Sequence, residues 1–343
     1  MLRYFGWAYA VTIIGLILSF WLGWFYQGTL SGAMSFLVIG AILAVLEISL
    51  SFDNAIVNAN KLKDMTPLWQ RRFLTWGILI AVFGMRIVFP LLIVVIAAQL
   101  GPWEAIRLAA TDPARYSEII HDAHLSIAAF GGTFLMMVAL SYFIDEGKEI
   151  HWISALEESL CKCGSVRGAE VAFVLVLMIG FSWVMPSESR GEFLFAAVFG
   201  LITFLAVDML GHVLDRQDAA GAVAKGGLGA FLYLEVLDAS FSFDGVIGAF
   251  ALTQNLFLIA IGLGVGAMYV RSMTIMLVEK GTLTEFRYLE HGAFWSILVL
   301  SIIMFSQTLT HIPELITGLL GAGFIGFALL SSLRYRRLAA DHD

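Results

Sequence analysis

Charge is what this chain lacks. Only 14% of its 343 residues are Asp, Glu, Lys or Arg, against roughly a quarter in a soluble globular protein, and that deficit excludes most soluble architectures. Two cysteines cannot build the framework of a disulfide-stapled secreted domain. There is no Gly-X-Y period, and the chain is apolar throughout, which excludes collagen and disorder. The 20 Lys and Arg are scattered among 27 acidic residues for a net charge of -7, so no basic patch exists to wrap a phosphate backbone, and nucleic acid is not an expected partner. What is present is hydrophobicity: 59% of residues and a mean hydropathy of +0.87. These are the proportions of an integral membrane protein whose first partner is the lipid bilayer.

A helix needs about 20 mostly apolar residues to cross the hydrocarbon core. Ten stretches of that kind are bounded by charges or turn residues: 7–27, 33–60, 73–99, 124–144, 169–186, 193–210, 228–252, 256–278, 290–308 and 314–333. The expected fold is all-α, a single polytopic transmembrane domain over 1–343. With the N-terminus in the cytoplasm, fifteen basic residues fall in cytoplasmic segments and only Arg107, Arg115 and Arg190 fall outside, while Arg86 and Arg271 lie within spans. This positive-inside bias places both termini in the cytoplasm and the protein in the cytoplasmic (inner) membrane. Segment 145–168 alternates acids with Ile150, Ile153, Leu156 and Leu160, the pattern of a cytoplasmic amphipathic helix on the membrane surface. Its Cys161 and Cys163 are too few for a zinc site, which takes four ligands.

Self-comparison is more informative than hydropathy. Residues 43–56 read LAVLEISLSFDNAI and residues 234–247 read LEVLDASFSFDGVI; more than half of the 14 positions are identical, and Glu47 aligns with Asp238. In the span that follows, Gly77 precedes Arg86 by nine residues and Gly262 precedes Arg271 by nine, and His124 and His291 open the third span of each copy. Each copy is thus three spans, 31–144 and 228–310, with two linking helices at 169–211 and a last helix at 314–333. Corresponding spans are five apart, an odd number, so the copies cross the bilayer in opposite directions. Inverted three-helix repeats of this kind frame the substrate site of many secondary transporters.

Within these spans lie Glu47, Asp53, Glu235, Asp238 and Asp244. At roughly 2.5–3.5 kcal/mol per uncompensated acid, five would cost on the order of 12–17 kcal/mol, enough to consume the stability of a whole fold. They must be protonated, paired or bound to cations. Arg86 and Arg271 can neutralise two; if all seven groups share one cavity, the remaining charge suits a divalent cation plus a proton. Glu47, Ser51, Asn54 and Asn58 fall on one helical stripe, and Glu235, Asp238, Ser242 and Gly245 on its counterpart. Asp53 and Asp244 point elsewhere on a regular helix, so the S-F-D-(N/G) segments are expected to kink or unwind, with Asp53 toward the cytoplasmic mouth and Asp244 toward the outer one. Hard oxygen donors suit Mg²⁺, Ca²⁺ or Mn²⁺. His124 and His291 are candidates for proton coupling, since histidine titrates near neutral pH. Asp208 and His212, one turn apart, are more cheaply explained as a helix end, and the glycines at 262, 264 and 266 as close helix contacts rather than a phosphate cradle.

The segments E-I-S-L-S-F-D-N-A at 47–55 and E-V-L-D-A-S-F-S-F-D-G at 235–245, each followed by an arginine-bearing helix, resemble those of the TerC family of membrane proteins, in particular its longer and uncharacterised branch, within the LysE-like transporter superfamily. The resemblance covers about 31–144 and 228–310. It implies cation export, manganese above all, with tellurite resistance as a historical phenotype. Carried over by position, Glu47, Asp53, Asn54, Asp238 and Asp244 would be metal ligands; Gly245 stands where the first copy has Asn54. The expected activity is that of a secondary carrier exporting a divalent cation, Mn²⁺ first and Ca²⁺ or Mg²⁺ as alternatives, against proton entry. The expected metal set is Glu47, Asp53, Asn54, Glu235, Asp238 and Asp244, supported by Ser51, Ser242, Arg86 and Arg271. A homo-oligomer is admissible. The alternatives are a metallation or assembly partner for other proteins and, less well supported, a membrane-embedded metal-dependent enzyme. No Walker loop, HExxH or nucleophile beside a base occurs in a span, so no enzyme is expected.

Overall fold

The computed structural model describes residues 2–145, 147–166, 168–219, 227–310, 312 and 314–340, and every regular element among them is helical. The helices are α1 (Leu2–Gln27), α2 (Leu30–Leu50), α3 (Phe52–Lys63), α4 (Pro67–Leu79), a π-helical stretch (Ile80–Val88), α5 (Phe89–Ala97), α6 (Pro102–Thr111), α7 (Pro113–Asp122), α8 (His124–Phe143), α9 (Ser154–Cys163), α10 (Ala169–Val184), α11 (Ser187–Ala219), α12 (Leu228–Leu252), α13 (Leu256–Glu279), α14 (Thr282–Glu285), α15 (Leu289–Gln307) and α16 (Glu314–Ala340). Seven are long and apolar enough to cross a membrane: α1, α2, α8, α11, α13, α15 and α16. The protein is therefore an all-helical membrane protein. α10 is apolar but has only 16 residues, and α12 carries three acids, Glu235, Asp238 and Asp244.

Burial sorts the helices into a core and a lipid-facing shell. Two-thirds or more of the apolar windows of α8, α13 and α15 are buried, against about a fifth in α1 and α16. α1 and α16 turn residues such as Trp7, Ile17, Trp21, Leu319 and Phe327 outward, where acyl chains are the natural solvent. α13 packs along α1, α2 and α3, and α15 along α3, α8 and α16. The α13 contact depends on missing side chains: a methyl group on Gly262 would lie 2.5 Å from Leu43 Cβ, and one on Gly266 would lie 2.4 Å from Glu47 Cβ. Small residues let helix backbones approach closely where lipid offers no hydrophobic drive between helices.

Two spans expected to be single helices are interrupted. The stretch 33–60 breaks at Ser51, whose φ of -103° and ψ of 18° depart from the helical values. The cause is local: Asn54 N–H is taken by the Asp53 carboxylate at 2.8 Å, the competition with the helix ladder that Asp and Ser side chains offer. The stretch 73–99 passes through the π-helical turns that carry Gly84 and Arg86, ahead of Pro90, which has no N–H for the ladder. The S-F-D-G copy does not unwind: α12 stays helical through it, and Ser240 Oγ donates to the Val236 carbonyl at 3.0 Å, leaving the helix ladder uninterrupted.

Segment 145–168 also differs from the expected surface helix. Among its described residues only Ser154–Cys163 is helical, and Glu157 at its start is fully buried. It accepts from Trp295 Nε1 at 2.9 Å, His291 Nδ1 at 2.8 Å and the backbone N–H of Trp152 at 3.1 Å, and Lys148 Nζ lies 3.3 Å away. Amphipathic periodicity counted Glu157 as part of a wetted face; tertiary contacts with α15 make it the anchor of the segment. Burial pushes the Glu157 carboxyl up, but the His291 and Trp295 hydrogen bonds and the Lys148 charge outweigh it and hold it at about 2. A depressed carboxyl stabilises the folded state fully above its unfolded pKa and loses that contribution as pH falls toward the folded one. The anchor is therefore expected to hold at neutral pH and to weaken only from about pH 4.5 downward. Glu157→Ala leaves Lys148 buried without its counter-ion, a change that costs about 3–5 kcal/mol. Limited trypsinolysis of this variant is expected to cut at Lys148 and Lys162 at protease levels that spare the wild type.

Candidate cation site

The break at Ser51, the π-helical stretch and the close α2–α13 contact converge on one place. A cavity of about 40 Å³ is lined by Glu47, Ser51, Asn54, Asn58, Arg86, Asp238, Ser242, Arg271 and Thr274, with Phe73 as an apolar wall. That is room for roughly three waters, or for one ion with part of its shell. The stripe Glu47, Ser51, Asn54 and Asn58 reaches the cavity from α2 and α3 despite the break, because a bend at Ser51 leaves the faces on either side of it aligned. α12 supplies Asp238 and Ser242 from the opposite wall, and α13 supplies Arg271 and Thr274.

The charges inside the cavity balance. Glu47 is ion-paired with Arg86, both buried, and its Oε1 also accepts from Ser51 Oγ at 3.1 Å. Asp238 Oδ1 accepts from Asn58 Nδ2 at 2.7 Å, while Arg271 donates to the Phe73 carbonyl. Two carboxylates thus face two guanidiniums. The neutral oxygens are not balanced in this way: Asn54 Oδ1, Asn58 Oδ1 and Ser242 Oγ are buried and have no hydrogen-bond partner among the described residues. Unsatisfied buried oxygens are rare and costly, and their clustering about one cavity indicates a guest that supplies positive charge or hydrogen-bond donors. On the α12 side the approach to Glu47 is close, since a methyl group on Gly245 would lie 3.2 Å from Glu47 Oε2.

Not every acid expected at the site is in it. Glu235 is buried, and neither carboxylate oxygen has a hydrogen-bond partner among the described residues, but it lies against α4, where a methyl group on Gly77 would come within 2.8 Å of its Oε1, and it does not line the cavity. Asp53 is also buried and opens into a second, separate cavity. The idea that all seven ionisable groups share one cavity is therefore corrected: periodicity places side chains around one helix axis but not in register with another helix. The Asp244 side chain lies outside the described residues, as does that of His212. His291 is tied to Glu157 and packs edge-on to Tyr142, and His124 opens α8; neither lines a cavity with the acids. Cys161 and Cys163 are free thiols. Among the described residues no three His, Cys, Asp or Glu gather as a metal cluster, so any ion in the central cavity would be held by two carboxylates and neutral oxygens, a set suited to hard cations.

Sequence reasoning missed Thr274, and it missed Ser296 and Thr317 beside Asp53. A single hydroxyl residue in an apolar helix carries no signal of its own, because it can satisfy itself on the carbonyl one turn back.

Residues 52–339 match a family described as a protein of unknown function (DUF475). No curated protein and no solved structure matches the chain.

Arg86→Ala is expected to leave Glu47 buried and uncompensated, at a cost of about 3–5 kcal/mol. The double variant Arg86→Ala/Glu47→Gln should recover most of that loss, because no lone charge remains. Thermal melts of the detergent-solubilised protein distinguish the two, and equal destabilisation of single and double variants would show that the pair is not what holds the cavity.

Proposed function

The chain belongs to the DUF475 family, and we propose that it is a secondary carrier of divalent cations whose substrate passes through the cavity between Glu47 and Asp238. The observation that carries this reading is the ring of buried, unpartnered oxygens from Asn54, Asn58 and Ser242 around a space bounded by two carboxylates. Carboxylate, amide and hydroxyl oxygens in that mixture suit Mn²⁺, Ca²⁺ or Mg²⁺. Among these the resemblance of the two acidic motifs to the TerC family favours Mn²⁺, and with it export.

The arginines have a role in such a cycle. When no substrate is bound, Arg86 and Arg271 keep the carboxylates compatible with a low-dielectric interior. An entering cation competes with Arg86 for Glu47, and the nearby guanidinium charge limits how tightly the ion is held. Transport needs binding that is strong enough to admit the ion and weak enough to release it. Arg86 stands in π-helical turns, a geometry that recurs at functional sites.

Contacts in the pattern that an inverted repeat would give support the same reading. Gly77 of α4 lies against Glu235 of α12, while Gly262 and Gly266 of α13 lie against Leu43 and Glu47 of α2, so the arginine-bearing segment of each copy packs on the acidic helix of the other. Ten crossings, with α3 continuing α2 and with α4 to α5, α10 and α12 added to the seven long helices, would give both termini a cytoplasmic position in the inner membrane under the positive-inside bias. Exchange against an inward-moving monovalent cation, the proton being the first candidate, would drive export without ATP.

In proteoliposomes loaded with a divalent-sensitive dye, the wild type is expected to carry Mn²⁺. Glu47→Gln and Asp238→Asn should abolish flux and weaken Mn²⁺ binding by calorimetry at least about tenfold, whereas Glu118→Gln, on the exposed face of α7, should change neither. Tight vesicles that show no divalent flux with the wild type would sink the carrier reading.

A further inference from the structure

Asp53 occupies a cavity of its own. About 20 Å³ is enclosed between the α2–α3 break, α12, α15 and α16, lined by Asp53, Leu50, Gly245, Ser296, Thr317 and Gly321 among others. That volume admits about one water-sized particle. Asp53 Oδ2 accepts from Ser296 Oγ at 2.7 Å and Oδ1 accepts from Asn54 N–H at 2.8 Å. Asp53 also stands in the first turn of α3, where the positive end of the helix favours a negative charge. Both carboxylate oxygens thus accept hydrogen bonds. Yet no Lys, Arg or His lines the cavity among the described residues.

Two further oxygens point to a positively charged occupant. Thr317 Oγ1 is buried and has no hydrogen-bond partner among the described residues. The Leu50 carbonyl, in the last turn of α2, would be met in a continuous helix by Asn54 N–H, which is instead turned to Asp53. Broken helices with exposed carbonyls are where membrane carriers hold small cations. Gly321 keeps the space open, since a methyl group there would lie 2.8 Å from Ser296 Oγ.

We propose that this cavity is a second cation site, distinct from the central one, that binds a single dehydrated monovalent cation, sodium, through Asp53, Ser296, Thr317 and the carbonyl end of α2. One carboxylate with no basic neighbour among the described residues matches one positive charge; a divalent ion would leave an excess charge in a lipid-flanked interior. The space is too small for a hydrated ion. Ser51 lines both cavities, and its hydroxyl donates to Glu47, so an ion that stiffens the break at Asp53 acts on the wall of the central site. The link to transport rests on the carrier reading above, whereas sodium binding does not.

The test uses the full chain in lipid nanodiscs, melted in NaCl, KCl or choline chloride at constant pH and ionic strength. Sodium, and not potassium or choline, is expected to raise the melting temperature saturably. Asp53→Asn should erase that rise. Ser296→Ala and Thr317→Val, the second of which removes an unpartnered oxygen and so should fold well, should each shift the half-saturating sodium concentration by about tenfold. Glu47→Gln should retain the sodium effect while losing Mn²⁺ binding, and Asp53→Asn should do the reverse. Equal responses to sodium and choline overturn the proposal, as does a sodium response unaffected by Asp53→Asn, or loss of Mn²⁺ binding in Asp53→Asn comparable to that in Glu47→Gln. A sodium response that depends on Asp53 in a protein that neither binds nor carries Mn²⁺ leaves this site standing and removes the carrier reading instead.

Discussion

An ionised carboxylate surrounded by lipid-facing helices must be matched by a partner, and this requirement shapes each polar region of the protein. Glu47 is matched by Arg86. Asp238 is held by the amide of Asn58 in a cavity that Arg86 and Arg271 also line. Asp53 has a hydroxyl, a backbone N–H and a helix start but, among the described residues, no basic side chain at its cavity. Glu157 is enclosed by His291, Trp295 and Lys148. The first three lie at the crossing of α2, α3 and α12, and the fourth fastens a short helix to α15. Where matching is complete, as at Glu157, the group is an anchor. Where oxygens remain unpartnered, as around Asn54, Asn58 and Thr317, the unmet requirement is the chemical case for a guest ion.

Bringing such groups together inside an apolar bundle needs backbone that departs from the straight helix, and each departure here has a local cause. Asp53 captures the N–H of Asn54 and frees the end of α2. Pro90 withholds a donor next to the π-helical turns that hold Arg86. Gly262 and Gly266 let α13 close on α2 near enough for Arg271 and Thr274 to share a wall with Glu47. These devices cost helix stability and are concentrated at one crossing, while α8, α11 and α15 remain regular and supply the rigid packing on which that crossing is built.

The two cavities meet at Ser51. A shared wall at a broken helix is a short route by which occupancy at one position can bias the other, since a break has two arrangements where a packed helix has one. Among the described residues, the central cavity carries balanced charge and unpartnered neutral oxygens, and its neighbour carries one carboxylate with no basic side chain beside it. The two cavities therefore offer a bound cation different environments, and under the carrier reading the divalent substrate and the monovalent driving ion would occupy separate positions close together.

Composition and hydropathy by themselves determined that the chain is a helical membrane protein, because an apolar excess of this size has no other stable home. The duplicated S-x-S-F-D motif and the Gly-x8-Arg spacing marked Glu47, Asp238, Arg86 and Arg271, since intramembrane charge is too costly to be incidental. Same-helix stripes such as Glu47, Ser51, Asn54 and Asn58 were also legible, because the period of 3.6 fixes them. Tertiary structure alone decided which acids share a cavity. The azimuth and depth of one helix against another depend on glycine contacts and breaks that no single-helix pattern encodes, so Asp53 separates from Glu47, Glu235 falls outside, and Ser296 and Thr317 arrive from α15 and α16 unannounced. Glu157 makes the same point from the other direction: its spacing reads as a wetted face, and only the approach of α15 turns it into a buried anchor.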